Sequence, residues 1–204
     1  ITPTIIKELV GAQTEFTIGE VVTYRITVTL PEAVTEDMVV SDLVEEASDD
    51  GLLEILTASV VTPTNGALSA PGVGSTLTPT ASITDEELGD SINDTATLDF
   101  GDIVNGDTNN GTSETIQIEV TARVIDNLAN QNGDTLTNNG RLTYEDATDG
   151  PSTLDTPDVD IEVIEPELVV TKDNDDTDDV VVPGQIVTYT IVVSHAAGST
   201  ADAF

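Results

Sequence analysis

The sequence has no cysteine and no tryptophan, and only 3% of its residues are aromatic. The absence of cysteine excludes disulfide cross-links and metal sites built on thiolates. No apolar run approaches the ~20 residues that a membrane-spanning helix requires, so we expect no membrane insertion within this segment. No signal peptide opens the sequence and both ends interrupt strand-like patterns, so we expect these residues to belong to a longer chain.

Basic residues are also scarce. Five Lys and Arg stand against 39 Asp and Glu, which gives a formal net charge of -34. Nucleic-acid binding relies on Lys and Arg to neutralise phosphates, so this charge argues against a nucleic-acid partner, and likewise against anionic membrane surfaces. It favours saline or cation-rich surroundings, where mobile ions screen the self-repulsion. The simplest interpretation is a solvated acidic surface over a core, because 38% of the residues are hydrophobic.

What the sequence does contain is a series of segments rich in Val, Ile and Thr with a period of two. Polar turn clusters with Gly, Asn, Asp and Pro separate them, and no stretch shows a helical period over a dozen residues. Short strands at regular spacing predict an all-β fold, an immunoglobulin-like β-sandwich. The predicted strands are Val21–Leu30, Met38–Val44, Leu53–Val61, Ala96–Val104, Glu114–Ile125, Thr135–Glu145 and Asp158–Ile164.

The sequence also repeats itself. The run Gly-Glu-Val-Val-Thr-Tyr at 19–24 returns as Gly-Gln-Ile-Val-Thr-Tyr at 184–189, and 184 − 19 = 165, the offset that also separates Lys7 from Lys172 (172 − 7 = 165). We therefore expect tandem repeats of about 165 residues, with residues 1–165 as a complete domain. Residues 166–204 would supply the first two strands of the next repeat, or a strand segment donated to a neighbouring molecule, because two strands alone are marginal in water.

Three polar residues break the strand alternation at positions where an apolar side chain is expected. Lys7 shares a face with Ile5 and Leu9, and Asp42 shares one with Met38, Val40 and Val44. Asn138 shares one with Leu136, Leu142 and Tyr144, whereas its neighbour Asn139 points the other way. Three strands are thus predicted to send a Lys, an Asp and an Asn into the core.

Such a trio has to pair, neutralise or react, because a lone buried ion costs several kcal/mol. Burial lowers the pKa of a lysine and raises that of an aspartic acid, so a neutral amine and a carboxylic acid can coexist there. Lys7 can then attack the Asn138 side-chain amide and expel ammonia, with Asp42 carrying the proton. The alternative is a buried Lys7–Asp42 salt bridge with Asn138 as a hydrogen-bond partner. The two lysines occupy the same repeat position and the other cations are arginines, which cannot act as this nucleophile.

Several segments resemble a known family. The opening strands of the first unit, with Gly-Glu-Val-Val-Thr-Tyr at 19–24 and Val-Ser-Asp-Leu at 40–43, and the strand Leu-Thr-Asn-Asn-Gly-Arg-Leu-Thr-Tyr at 136–144 resemble the fimbrial isopeptide-forming domain of bacterial surface proteins. Residues 166–189 resemble the conserved repeat domain found in tandem on long bacterial and archaeal surface proteins. The resemblance implies that Lys7 is the nucleophile, Asn138 the acceptor and Asp42 the catalytic acid and base. Residues 60 to 130 resemble the family poorly, and Gly140 replaces its usual Ala.

The densest acidic run offers a candidate calcium site. Calcium takes six to eight oxygen ligands, and alternating Asp and Asn resembles part of a calcium loop, although the Gly and terminal Glu of an EF-hand are missing. The alternative is a solvated loop, and no cofactor is required. The candidate ligands are Asp173, Asp175, Asp176, Asp178 and Asp179.

These observations favour a structural role over catalysis. Residues 1–165 contain no His, and few aromatics are present to stack on sugars, so we expect no enzyme. We expect an extracellular, cell-surface repeat module of a fibre, stalk or adhesin shaft, whose partners are neighbouring repeats or copies of itself. The alternatives are a binding module that contacts a receptor or glycan through the loops at 62–80 and 126–134, or a pilin-like subunit that polymerises by donor-strand exchange.

Overall fold

The fold was obtained as a computed structural model, which describes residues 2–44, 52–63, 67–70, 77–85, 92–108, 113–146, 150–175 and 180–195. These residues form strands, turns and loops, and none of them lies in a helix. No segment of the described chain is therefore a helix that could span a membrane. The strands are β1 (Thr4–Leu9), β2 (Glu15–Phe16), β3 (Val21–Leu30), β4 (Ala33–Val44), β5 (Leu53–Pro63), β6 (Leu68–Ser69), β7 (Thr80–Thr84), β8 (Thr95–Asn105), β9 (Glu114–Val124), β10 (Thr135–Asp146), β11 (Gly150–Asp155), β12 (Val159–Val163), β13 (Leu168–Asn174) and β14 (Tyr189–His195).

Two sheets make up the main body of the fold. The smaller sheet has the strand order β1-β3-β9-β5. The larger sheet has the order β2-β12-β10-β4-β8-β6, with β11 paired to β10 and β7 paired to β8. Every pair is antiparallel except β12 with β2. The protein is thus an all-β, immunoglobulin-like sandwich, as the strand pattern predicts.

The core lies between the inward faces of these two sheets. In β3 every second side chain is buried, from Val22 through Tyr24, Ile26 and Val28 to Leu30, so the period of two in the sequence becomes one apolar face. β9 buries the alternate set from Ile116 to Val124 in the same way. Covering these faces against each other is the main stabilising contribution, at roughly 25 cal/mol for each Å² of apolar surface removed from water.

The structure adds strands that the apolar pattern does not predict. β2, β6, β7 and β11 are short, and the last two lie at sheet edges with mostly polar, half-exposed side chains. An edge strand packs little apolar surface, so alternation is weak there. β4 also begins earlier than predicted, because bulges between Thr35 and Val39 allow an irregular, polar segment to continue the pairing with β8.

The last two strands form a separate two-stranded sheet. β13 pairs only with β14, antiparallel, from Leu168 opposite His195 to Asn174 opposite Tyr189. Residues 164–167 connect β12 to this hairpin.

Candidate functional site

The three polar residues that interrupt the alternation come from three strands in two sheets. Lys7 lies on β1, at the edge of the smaller sheet, and points inward because its neighbours Ile5 and Leu9 do. Asp42 and Asn138 lie on β4 and β10, which are adjacent in the larger sheet. Gly140 is the residue opposite Asp42, and Asn138 is opposite Val44, so Asp42 and Asn138 are diagonal neighbours on the same face.

Lys7 contacts two strands of the larger sheet, β4 and β10. Its Nζ lies 2.6 Å from Oδ2 of Asp42 and donates a second hydrogen bond of 2.9 Å to the backbone oxygen of Asn139. Lys7 is 8% exposed, and Asp42 and Asn138 are both 0% exposed. The side chains of the Lys7–Asp42 pair are completely buried. The pair therefore bridges the two sheets inside the core, where an ion pair repays its desolvation only with complete hydrogen bonding.

That hydrogen bonding is incomplete. Among the described residues, the buried side-chain atoms without a partner include Oδ1 of Asp42, both Nδ2 and Oδ1 of Asn138, and the hydroxyl of Tyr24. Each such atom costs about 1–3 kcal/mol when it is buried unpaired. These four atoms belong to Asp42, Asn138 and Tyr24, and a cluster of unpaired buried polar atoms is rare enough in folded proteins to require an explanation.

Tyr24 forms the wall of this site. The Lys7 Nζ lies 4.6 Å from the centre of the Tyr24 ring, in cation–π contact. Burial raises the pKa of Tyr24, and the charge of Asp42 raises it further. The Asn138 side chain lowers the pKa of Tyr24, which indicates that its amide lies close to the Tyr24 hydroxyl. The two groups nevertheless do not have the geometry of a hydrogen bond.

Burial also controls the charge of the amine. Loss of solvent lowers the pKa of Lys7 from 10.5 to about 8, against the opposing effect of the Asp42 charge and hydrogen bond. At neutral pH roughly a tenth of such an amine is uncharged, which is several hundred times more than for an exposed lysine. An uncharged amine beside a carboxyl group is what nucleophilic attack on an amide requires.

Thr156 is hydrogen-bonded to β10 next to the site. It lies between β11 and β12, which pair with successive halves of β10. Gly140 donates its N–H to the Thr156 hydroxyl at 2.9 Å, and the Thr156 N–H donates to the Gly140 oxygen at 2.8 Å. Sequence analysis did not single out Thr156 or Tyr24. Tyr24 carried a signal, because it recurs at Tyr189 with the same spacing from a lysine, whereas Thr156 carried none.

The predicted calcium ligands are only partly described. Asp176, Asp178 and Asp179 lie outside the described residues. Asp173 accepts a hydrogen bond from the N–H of Asn174, and Asp175 accepts one from the N–H of Thr188, which lowers the pKa of Asp175. The described part of the chain contains no group of three or more His, Asp or Glu side chains that could hold a metal ion. Calcium binding stays a prediction.

The loops predicted for the alternative binding function are also only partly described. Residues 64–66 and 71–76 of the first loop lie outside the described part. The second loop is tied to the body by Asn130, whose amide donates to the backbone oxygens of Leu52 and Ile125. Leu128 in this loop is 94% exposed, and neither loop contains an aromatic residue. The described residues of these two loops show no feature that favours receptor or glycan binding.

Comparison with known proteins places the fold. No protein-family model matches the sequence, and no curated protein matches it. Among solved structures, BspA_C_WT has a TM-score of 0.53 and 13% identity, covering 78% of this chain and 50% of that one. The full-length major pilin SpaD of Corynebacterium diphtheriae has a TM-score of 0.50 and 12% identity, covering 83% and 36%. BcpA, the major pilin subunit of Bacillus cereus, has a TM-score of 0.49 and 13% identity, covering 97% and 54%.

These likenesses define a class of fold. The chain shares an all-β sandwich with the pilin SpaD and with the BspA domain, and at such low identity the match extends to the fold alone. The chain spans about half the length of the BcpA structures it matches, at 54% and 56%.

Proposed function

We propose that the chain is a structural module of an extracellular fibre, stalk or adhesin shaft, stabilised by a self-formed isopeptide bond between Lys7 and Asn138. One observation carries this proposal: the Lys7 amine lies 2.6 Å from Asp42 and 2.9 Å from the backbone oxygen of Asn139, and the preceding residue, Asn138, is fully buried with no hydrogen-bond partner for its amide. A buried salt bridge alone would leave these polar atoms unpaired at a cost of several kcal/mol. Joining Lys7 to Asn138 removes the charge of the amine and the unpaired Nδ2 of Asn138, and therefore lowers that cost.

The chemistry needs no group beyond the three side chains. Lys7 passes a proton to Asp42, and its uncharged Nζ attacks Cγ of Asn138. The bond between Nζ and Cγ forms, the bond between Cγ and Nδ2 breaks, and Nδ2 leaves as ammonia after taking up the second proton of the amine through Asp42. The fold holds the reactants together, which gives each a very high effective concentration. Asp42 and Asn138 are diagonal neighbours on one face of the larger sheet, and this adjacency supports a role for Asp42 in the proton transfer.

The bond would join the two sheets across most of the chain. Lys7 lies on the first strand and Asn138 on β10, so the closed loop spans 138 − 7 = 131 residues. If the cross-link restricts the unfolded chain as a disulfide does, it stabilises the fold by about 5 kcal/mol. It would also carry tension between the ends of the unit without loading the core, which suits a shaft.

The comparisons support the surface assignment. The structures with the same fold include the major pilin SpaD. That likeness and the acidic composition support three further parts of the proposal: a non-catalytic role, a location at the cell surface, and assembly with neighbouring repeats or copies of itself.

Intact mass spectrometry tests the bond. We expect the purified chain to weigh less than its sequence by one ammonia, and Lys7→Ala and Asn138→Ala to show their full calculated masses. Asp42→Ala should also retain the ammonia, because the proton carrier is lost. Lys172→Ala is the matched control, since it removes the other lysine and should still lose one ammonia. A wild-type chain of full mass, with Lys7 and Asn138 recovered in separate peptides after digestion, would refute the proposal.

A further inference from the structure

The hairpin β13–β14 reproduces the hairpin β1–β3 strand for strand. Lys172 is opposite Ile191, as Lys7 is opposite Ile26, and Asn174 is opposite Tyr189, as Leu9 is opposite Tyr24. Both pairs differ by the same 165 positions on each strand, as in 191 − 26 = 165. A slip of one residue in the pairing would turn every side chain to the other face of the sheet. Since the two hairpins have the same register, corresponding residues lie on the same face in both.

The turn that leads into the second strand is reproduced as well. Gly19 and Gly184 both have a positive φ, at 83° and 91°, which favours glycine. Glu20 accepts a hydrogen bond from the N–H of Thr17 at 2.9 Å, and Gln185 accepts one from the N–H of Val182 at 3.1 Å. The hairpin is therefore a folded copy of the earlier one, with the same internal contacts.

The two copies differ in what covers them. In the first hairpin, Ile5, Tyr24, Ile26 and Val28 are between 0% and 8% exposed, because the larger sheet lies over them. Their counterparts in the second hairpin are open to solvent, with exposures of 64% at Val170, 57% at Tyr189, 62% at Ile191 and 59% at Val193. Two strands with an uncovered apolar face are marginally stable in water, so this face requires a partner.

Lys172 occupies the centre of this open face. Its Nζ lies 4.2 Å from the centre of the Tyr189 ring, as that of Lys7 lies 4.6 Å from Tyr24. The other four basic residues each form an ion pair: Lys7 with Asp42, Arg25 with Glu119, Arg123 with Glu54, and Arg141 with Asp155. No described carboxylate forms an ion pair with Lys172. The second hairpin thus has the amine and the aromatic ring of the first site, but it has no residues that correspond to Asp42 and Asn138.

We infer that β13–β14 is a second reactive hairpin and that it docks onto a sheet of the same kind as the larger sheet described above. That partner sheet would present an Asp and an Asn to Lys172 at the positions that correspond to Asp42 and Asn138. The docking follows from the matched register and the exposed face. The covalent step rests on the proposed function. In that step a bond forms between Nζ of Lys172 and the side-chain carbonyl carbon of the partner Asn, and the amide nitrogen leaves as ammonia with the second amine proton.

The occupant is a sheet in a following unit of the same fold. The first hairpin shows which surface covers this face, and the larger sheet of residues 1–165 is already covered by its own hairpin. A second copy of the chain would have to expel β1 and β3, and β3 is fully paired with β9 along its length. A following unit pays no such cost.

The test extends the full chain so that the missing sheet is supplied. A copy of residues 40–165 is joined after residue 204, which is equivalent to residue 39 (204 − 165 = 39). We expect the extended chain to lose two ammonia molecules where the 204-residue chain loses one. Lys172→Ala, or Asn→Ala at the appended copy of position 138, should reduce the loss to one. Hydrogen exchange of the β13 and β14 amides should slow markedly in the extended chain.

The outcomes separate this inference from the proposed function. If neither chain loses ammonia, the isopeptide proposal fails, and slowed exchange at β13–β14 still supports docking. If the first ammonia is lost but the second is not, and the hairpin amides exchange as fast as in the 204-residue chain, the inference is overturned. A digest of the 204-residue chain that yields Lys172 joined to Asn138 of another molecule would also overturn it, because the occupant would then be a second copy.

Discussion

At the scale of single residues, the site is built from side chains that the core would otherwise reject. Lys7, Asp42 and Asn138 each replace an apolar residue on an inward face, and the unpaired atoms of Asp42 and Asn138 cost about 1–3 kcal/mol each. The sequence contains only one other lysine, and that residue lies at the same position of the second hairpin. A buried amine can lose its charge, whereas a guanidinium cannot, so lysine is the cation that the proposed reaction requires at this position.

The lowered pKa of Lys7 predicts a pH dependence in a chain that cannot react. In the wild-type fold burial lowers the pKa of the Lys7 amine from 10.5 to about 8, and we expect Asn138→Ala to keep this lowered pKa because the amine stays buried. The unfolded state then binds more protons between these values, so the stability contributed by this group rises with pH across that window. The measured quantity is the free energy of unfolding of Asn138→Ala minus that of the double variant that also carries Lys7→Met. We expect this difference to rise by as much as about 3 kcal/mol from below pH 8 to above pH 10.5.

Urea titrations at a series of pH values measure this difference. The matched control is the same comparison made with Lys172→Met in place of Lys7→Met, because Lys172 is the other lysine and its side chain is exposed. A difference that stays level, or that falls as the pH rises, would contradict the lowered pKa of Lys7.

At the scale of the strand, β10 is where the site is positioned. It pairs with β4 along one side, while on the other side β12 covers residues 135–138 and β11 covers residues 141–146. Thr156 fills the gap between them by bonding to Gly140 in both directions. A Cβ at Gly140 would lie 3.3 Å from Cδ1 of Ile26, the residue opposite Lys7. The small residue therefore lets the two sheets approach at the site.

Substitutions at Gly140 test this approach. Gly140→Ala requires only the terminal methyl group of Ile26 to move, so we expect its stability to stay within about 1 kcal/mol of the wild type. We also expect every molecule of this variant to release one ammonia, as in the wild type. Gly140→Val adds two methyl groups against Ile26 and Thr156, and we expect it to destabilise the fold by about 1–3 kcal/mol and to slow the release of ammonia. Unfolding midpoints and the time course of mass loss are the measurements. Equal rates in the two variants would show that the sheet separation does not control the reaction.

At the scale of the whole molecule, charge is the dominant feature. The net charge is -34, and the three arginines each pair with a carboxylate on a neighbouring strand. Exposed pairs of this kind contribute only about 0.2–1 kcal/mol each, so they offset little of the repulsion among 39 acidic residues. The fold is held by its core against this repulsion.

Salt should therefore stabilise the protein. Between 0.01 M and 0.15 M NaCl the Debye length falls from about 30 Å to about 8 Å, which screens the long-range repulsion more than the three contact pairs. We expect the urea midpoint to rise over this range. CaCl2 at equal ionic strength tests the calcium prediction, because a specific site would raise the midpoint beyond the effect of NaCl. A midpoint that falls with NaCl would mean that attractive pairs outweigh repulsion.

The fold could be predicted where a strand buries one apolar face. The predicted strand Val21–Leu30 coincides with β3, and the segment from Leu53 and the one from Glu114 correspond to β5 and β9. β7 and β11 were not predicted, since an edge strand of Thr, Ser and Asp is indistinguishable from a loop by pattern. The inward direction of Lys7, Asp42 and Asn138 could be predicted for the same reason that β3 could.

Composition and strand alternation were enough to predict the all-β class, the acidic surface, the two-copy pattern and the face on which each of the three polar residues lies. All of these depend on local properties of the chain. The packing of the folded chain was needed to show that β4 and β10 are neighbours, that Lys7 contacts Asp42 and the Asn139 oxygen, and that Tyr24 and Thr156 complete the site. Strand order and packing between sheets join residues far apart in the chain, and no local pattern encodes which strands will meet.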